Sequence, residues 1–380
     1  MKLNFKSVLS VILCGIMLFS VMAFSVSAAD EKDVKFNSDG KFTILNFSDI
    51  QDGFPLRPIT KQYLKDTLEL VKPDMIVLTG DNISGGRTKT VTLSKLAIKE
   101  FMDIFEDYGA PVAAVFGNHD DDNDCLATKE IQMAYYCTYD CFVGKDEGSE
   151  ISNCGTYNLP VYSHDGENIV FNLWFTDSGN YNDENDLGGY GCTHKDQIEW
   201  YKKTSAALAE QNGGEPVPSI NFQHIVVPEI WDALDKDENG NWILPEGAKG
   251  DLDENPCPPK YSNGQFDAFL EMGDVLATVS GHDHVNNYEI DYKGVKIINT
   301  PGVGFRSYNN ENVGSRVFIL DENNPEEFET YCVEYNDVYS EDDEVAQYRY
   351  LYCSDTTETA DQITYFFKYV IAWIKSLFSF

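Results

Sequence analysis

Short apolar runs alternate along the first third of the chain with stretches in which apolar residues recur three and four positions apart. Residues 41–47 alternate apolar and polar, the period-two pattern of a strand, and Asp49 stands just past its end. Residues 58–71 place Ile59, Tyr63, Leu64, Leu68 and Val71 in a helical rhythm that Pro73 stops. Residues 75–78 are a compact apolar strand ending at Gly80-Asp81. Residues 91–108 predict a second helix closed by Gly109, and 112–116 a third strand ending at Gly117-Asn118-His119. Strand, helix, strand, helix, strand is the alternation of an α/β layered fold, in which ligand sites gather at the C-terminal strand ends.

The pattern continues less regularly. Residues 125–166, rich in Tyr, Cys and Gly, read as an inserted subregion above the site. A strand at 169–175, a polar loop at 177–191, a helix at 195–211 and a strand at 219–222 follow, the last delivering His224. Residues 234–258 are loop-rich. Asp235 to Glu246 fits a calcium-binding EF-hand loop by letter, but Pro245 and the glycines after it deny the exiting helix, and a hairpin turn at Asn239-Gly240 fits the same residues. A helix at 265–272 and a strand at 275–279 lead to Ser280-Gly281-His282-Asp283-His284. A hairpin (288–290 and 295–298) and strands at 316–320 and 327–335 complete two packed sheets with helices outside. Residues 30–335 thus read as one domain. Residues 336–345 read as an acidic linker. Residues 365–380 read as an aromatic segment, interrupted by Lys368 and Lys375, that packs back on the domain or meets a partner or membrane surface as an amphipathic helix.

Composition changes the picture in three places. The formal net charge of -35 argues against nucleic-acid binding by a basic surface and against electrostatic attraction to anionic lipid. It also repels a phosphate substrate at long range, so only locally bound cations can reverse the field near a site. The acidity is read as a solubility adaptation rather than a cation store. Residues 1–29 have the form of a secretory signal: Lys2 and Lys6, an apolar run over 8–24, and small residues up to Ala29. Export is therefore expected, to the medium or the cell surface. The eight cysteines beyond it permit disulfides, with no CxxC pair to suggest a zinc ribbon.

Five polar blocks carry the chemistry, each after a short apolar run: Asp49-Ile50-Gln51, Gly80-Asp81-Asn82, Gly117-Asn118-His119-Asp120, Gln223-His224 and Gly281-His282-Asp283-His284. Taken singly, Asp49 is ordinarily a turn residue, Asn118 a turn and His224 a satisfied buried imidazole. Taken together they supply carboxylate, amide and imidazole groups for two cations. Two ions about 3.5–4 Å apart can hold a bridging hydroxide and clamp phosphoryl oxygens. Such a site needs one bridging carboxylate and separate ligands on each side.

The ordered set resembles the calcineurin-like metallophosphoesterases over about residues 42–304, and is most similar to the subgroup that includes plant "inactive purple acid phosphatase" homologues, whose histidine block resembles His224-Ile225-Val226-Val227-Pro228-Glu229. The resemblance implies a four-layer α-β-β-α sandwich of two mixed sheets, the metallo-dependent phosphatase fold. It implies that Asp81 bridges two metals, that Asp49 and His284 bind the first with Gln51 where the family usually has histidine, and that Asn118, His224 and His282 bind the second. His119 would face the substrate, with Asp120 orienting it. Gln51 offers a neutral amide, which points to manganese, iron or magnesium over a zinc pair. Ser84 stands where purple enzymes carry a tyrosine, so no tyrosinate–iron colour is expected. The implied activity is hydrolysis of a small-molecule phosphomonoester. A phosphodiesterase or nucleotidase, or a metal-binding protein whose catalysis has lapsed, are the alternatives.

Overall fold

The computed structural model of the chain describes residues 34–122, 124–148, 150–182, 184–308, 313–354 and 357–377; the expected signal segment lies outside them. Thirteen strands are described. In chain order these are β1 (Lys41–Phe47), β2 (Met75–Thr79), β3 (Val112–Val115), β4 (Tyr157–Tyr162), β5 (Ile169–Phe175), β6 (Ser219–Phe222), β7 (Asp235–Lys236), β8 (Trp242–Ile243), β9 (Val275–Ser280), β10 (Glu289–Tyr292), β11 (Val295–Asn299), β12 (Gly314–Asp321) and β13 (Phe328–Glu334). One sheet has the order β13-β12-β1-β2-β3 and the other β10-β11-β9-β6-β5-β4. In the first, β1, β2 and β3 are parallel and β12 and β13 antiparallel; in the second, β11, β9, β6 and β5 are parallel with antiparallel strands at both edges.

Side-chain alternation builds the layers. Ile44 of β1 and Val77 of β2 face the second sheet and pack with Phe171, Leu173, Ile220 and Ala277. Their neighbours Leu45, Ile76 and Leu78 face the other way, onto helices α1 (Pro58–Val71) and α2 (Val91–Tyr108), through Tyr63, Leu64, Ile98 and Phe101. Across the molecule, α4 (Lys195–Gln211) and α6 (Gln265–Met272) cover the second sheet with Ile198, Tyr201, Phe266 and Phe269. The result is the expected four-layer α-β-β-α sandwich.

Several details depart from the sequence reading. Residues 125–166 are not one insertion: they hold α3 (Lys129–Tyr136) and β4, which is the edge strand of the second sheet. The acidic stretch after 335 is structured. It contains α7 (Tyr335–Val338) and leads into α8 (Glu344–Cys353), whose Tyr350 joins Tyr335 in the core. The calcium-loop match is a hairpin: β7 pairs with β8, and Asp237 is turned inward, accepting from the backbone N–H groups of Asn239 and Asn241 at 2.8 Å. α5 (Ile230–Ala233) precedes it. Among the described residues no disulfide joins the eight cysteines to one another.

Candidate metal centre

The five blocks converge at the C-terminal edges of both sheets. Two residues past the ends of β1, β2 and β9 a residue turns the chain out of the sheet. Asp49 (φ 53), Gln51 (φ 42), Asp81 (φ 48) and His282 (φ 71) all adopt the left-handed region, which non-glycine residues rarely occupy unless the surroundings hold them there. Backbone bonds do so here. Asp49 N–H donates to Gly80 O (3.1 Å) and Gln51 N–H to Asp81 O (2.8 Å), while His282 N–H donates to Asp49 Oδ2 (3.0 Å).

Two glycines are demanded by close approach. A Cβ on Gly117 would lie 2.1 Å from Asp81 Oδ1, and one on Gly281 would lie 1.7 Å from Ser48 Oγ. Gly117→Ala is therefore expected to displace Asp81 and to cost about 1–3 kcal/mol of stability. Thermal melting and metal analysis of the purified variant should both show a loss; an unchanged metal content would mean that the loop yields without moving Asp81.

Asp49, Asp81, Asn118 and His224 are fully buried, and Gln51, His282 and His284 nearly so. The ligand atoms of Asp81, His224 and His282 lie within 4.8 Å of one another, as do those of Asp49, Asp81 and His284. Asp81 belongs to both groups. His224 Nδ1 is held by Thr79 O (2.9 Å), which leaves Nε2 facing Asp81 Oδ2 at 3.3 Å. His284 Nδ1 is held by Tyr308 O (3.1 Å), leaving Nε2 facing Asp49 Oδ1 at 3.3 Å. Fixing one ring nitrogen on a carbonyl is what aims the other at a cation. Asp49 Oδ1, His224 Nε2, His282 Nε2 and both amide atoms of Asn118 are buried without a hydrogen bond. Unpartnered polar atoms are costly in an interior, and this cluster consists of oxygen and nitrogen donors suited to transition-metal and hard cations. The residues fit a pair of metal ions.

The electrostatics agree. Burial works against the carboxylates, but His284 beside Asp49 and His224 beside Asp81 outweigh it and hold both below the usual carboxylate range. Burial likewise opposes a charged His224, yet Asp81 prevails and pushes it up to about 9. His282, desolvated and beside His224, is pushed down to about 3. Without cations, a proton on His224 thus supplies positive charge between the carboxylates. Because coordination needs the neutral ring, metal uptake at pH 7 should expel that proton, and affinity should rise as pH climbs toward 9. Calorimetric titration of stripped protein in two buffers of different ionisation enthalpy measures the release; identical heats in both would contradict it.

His119 stands at the rim. Its N–H donates to Asp81 Oδ1 at 2.7 Å, and its side chain is 36% exposed. The expected contact from Asp120 is not made. Asp120 is buried and its carboxylate accepts from the backbone N–H groups of Gly117 (2.7 Å) and Ile83 (3.0 Å), bracing the loops after β2 and β3. Burial, then the charge of Asp81, pushes Asp120 up to about 8. The residue on the His119 ring is Asp122, whose Oδ2 lies 2.5 Å from Nδ1 and whose side chain is 6% exposed. The turn brings the aspartate three residues on, and not the adjacent Asp120 that the resemblance implied, back onto the ring.

Other neighbours carried no sequence signal. The Tyr308 ring stacks on His284 at 4.4 Å, and Tyr190 meets His282 edge-on at 4.3 Å. Gln51, named from sequence, donates Nε2 to Asp81 Oδ2 (3.2 Å), and its backbone carbonyl accepts from Arg87 Nη1 (3.2 Å). Arg306 turns to the buried Asp52, with Nε 2.6 Å from Oδ1. His164 and His194 lie away from the centre, paired with Glu322 and Glu184.

The sequence profile of the calcineurin-like phosphoesterase family matches residues 42–286. The chain belongs to that family. It is 29% identical over 350 residues to "Probable inactive purple acid phosphatase 14" of Arabidopsis thaliana, covering 83% of each chain. It is 28% identical over 319 residues to "Probable inactive purple acid phosphatase 28" of the same plant, covering 76% of this chain and 77% of the relative. Among solved structures it is similar to a dimetal phosphatase from Danio rerio, with 15% identity and a TM-score of 0.45 over 77% of this chain and 99% of that one.

Proposed function

We propose that the chain is an exported dimetal phosphoesterase that hydrolyses phosphomonoesters. The observation that carries this reading is Asp81, a buried carboxylate shared by two ligand groups in which Asp49 Oδ1, His224 Nε2 and His282 Nε2 make no hydrogen bond. In this reading, Asp49, Gln51 and His284 would hold one cation, Asn118, His224 and His282 the other, with Asp81 contributing to both. Gln51, an amide in place of an imidazole, inclines the first position to manganese, iron or magnesium. Bound there, the two ions would supply a nucleophile from water at neutral pH and neutralise the phosphoryl charge. The chain's own part is positional. Asp122 fixes His119 Nδ1, so Nε2 is the ring atom presented to a substrate. Protonated there, His119 delivers a proton to the departing alkoxide oxygen. Its partial exposure lets the ring regain a proton from solvent. Asp120 keeps the loop that aims His119 in place.

The N-terminal signal pattern supports export. Gln51 and the word "inactive" in the relatives' names favour a second reading, a metal-binding protein without turnover. Rates on an aryl phosphate and an aryl phosphodiester, with manganese, iron, magnesium or zinc restored singly, separate the readings. Faster monoester turnover is expected; faster diester turnover makes the protein a phosphodiesterase, and no turnover with two metals bound makes it the lapsed form.

A further inference from the structure

The last described helix, α9 (Thr359–Ser376), wears its apolar face outward. It rests chiefly on α8, through the buried Ala372 and through Tyr365 and Tyr369, which meet Tyr348 and Tyr352. α8 is in turn fixed to the body: Tyr350 packs on Phe305 and Tyr335. On the side away from α8, Ile363, Phe367 and Ile371 are 57%, 59% and 54% exposed, and Ile374 and Leu377 are about as open, while Phe366 at the flank meets Tyr352 of α8 edge-on at 5.5 Å. At about 100° per residue these five fall within one arc of roughly 120°, running most of the length of a helix about 27 Å long. Phe366 and Trp373 flank that arc, and Trp373 is 47% exposed.

A continuous apolar stripe of this kind is not surface noise, because monomeric proteins seldom leave such patches open. We propose that this face lies in a lipid bilayer surface, with α9 parallel to the membrane plane. Three features choose lipid over a second protein. The stripe of Ile, Leu and Phe367 is flanked by Phe366 and Trp373, and together with the neighbouring Tyr it has the makeup of helices that sit at the headgroup boundary. The helix carries Lys368 and Lys375 against the single acid Asp361, so it is locally cationic in a chain of net charge -35. Two copies of so acidic a chain repel each other, whereas a zwitterionic surface does not repel it. Among the described residues no helix is long and apolar enough to cross a membrane, which leaves lying on it. Insertion of apolar side chains drives the contact, so anionic lipid is not required.

The test uses residues 30–380, which contain every described element, with phosphatidylcholine vesicles. The protein should float with the vesicles at both low and high salt, and its tryptophan emission should shift to the blue except in Trp373→Phe. The triple variant Ile363→Ser, Phe367→Ser, Ile374→Ser should float about tenfold less or worse. Its thermal unfolding and aryl phosphate turnover should be unchanged, since these side chains touch neither core nor site. A wild-type chain that stays with the soluble fraction overturns the proposal. So does a triple variant that floats equally well, or a wild-type dimer, lost in the triple variant, that ignores vesicles.

Discussion

Asp81→Asn is expected to lower aryl phosphate turnover by about 10³-fold or more and to leave at most one metal equivalent bound. The substitution is nearly isosteric, so packing survives, but the atom set shared by both ligand groups loses its charge. Removing several kcal/mol of charge stabilisation corresponds to about three decades in rate. The variant also leaves His224 and Gln51 facing an amide rather than a carboxylate. Elemental analysis beside turnover decides the matter: two retained equivalents with normal activity would remove Asp81 from its central role.

His119→Ala is expected to act differently. It should keep both metals and lose about 10²- to 10⁴-fold in rate on esters with poor leaving groups, the usual worth of general acid catalysis. Aryl esters with very acidic leaving groups should lose less. Asp122→Asn removes a charge-assisted bond to the ring and should cost about ten- to a hundredfold. Asp120→Asn should instead lower stability, by about 1–3 kcal/mol, because an amide cannot accept from both backbone N–H groups. Turnover and melting measured on all three separate the roles; metal loss in His119→Ala would mark His119 as a ligand.

How far the sequence could be read follows from which interactions are local. The parallel strands were legible because strands buried on both faces are short continuous apolar runs: Ile44 and Leu45 are neighbours in sequence and belong to different cores. β4 was missed because Pro160 interrupts it. An edge strand tolerates that proline, since its outer side is paired only at Tyr162, with Val34 and Phe36, and not at Pro160. α8 was missed because its sequence, EVAQYRYLYC, has no apolar stripe; Tyr350 and contacts from distant residues hold it. At the centre, the strand-end blocks were visible as polar residues just past short apolar runs, and the structure gathers Asp49, Gln51, Asp81, His224, His282 and His284. Asp122 was not visible as the His119 partner, because the geometry of one turn decides between it and Asp120. Nor was the Tyr308 carbonyl that aims His284, which comes from a separate loop.

The central claim is a two-cation site that does chemistry. Its most direct test is to strip the protein with chelator and titrate manganese back while following both bound metal and hydrolysis of an aryl phosphate. The account predicts that activity stays low through the first equivalent and rises to its full value as the second is bound. Full activity at one equivalent, or in the stripped protein, would contradict it.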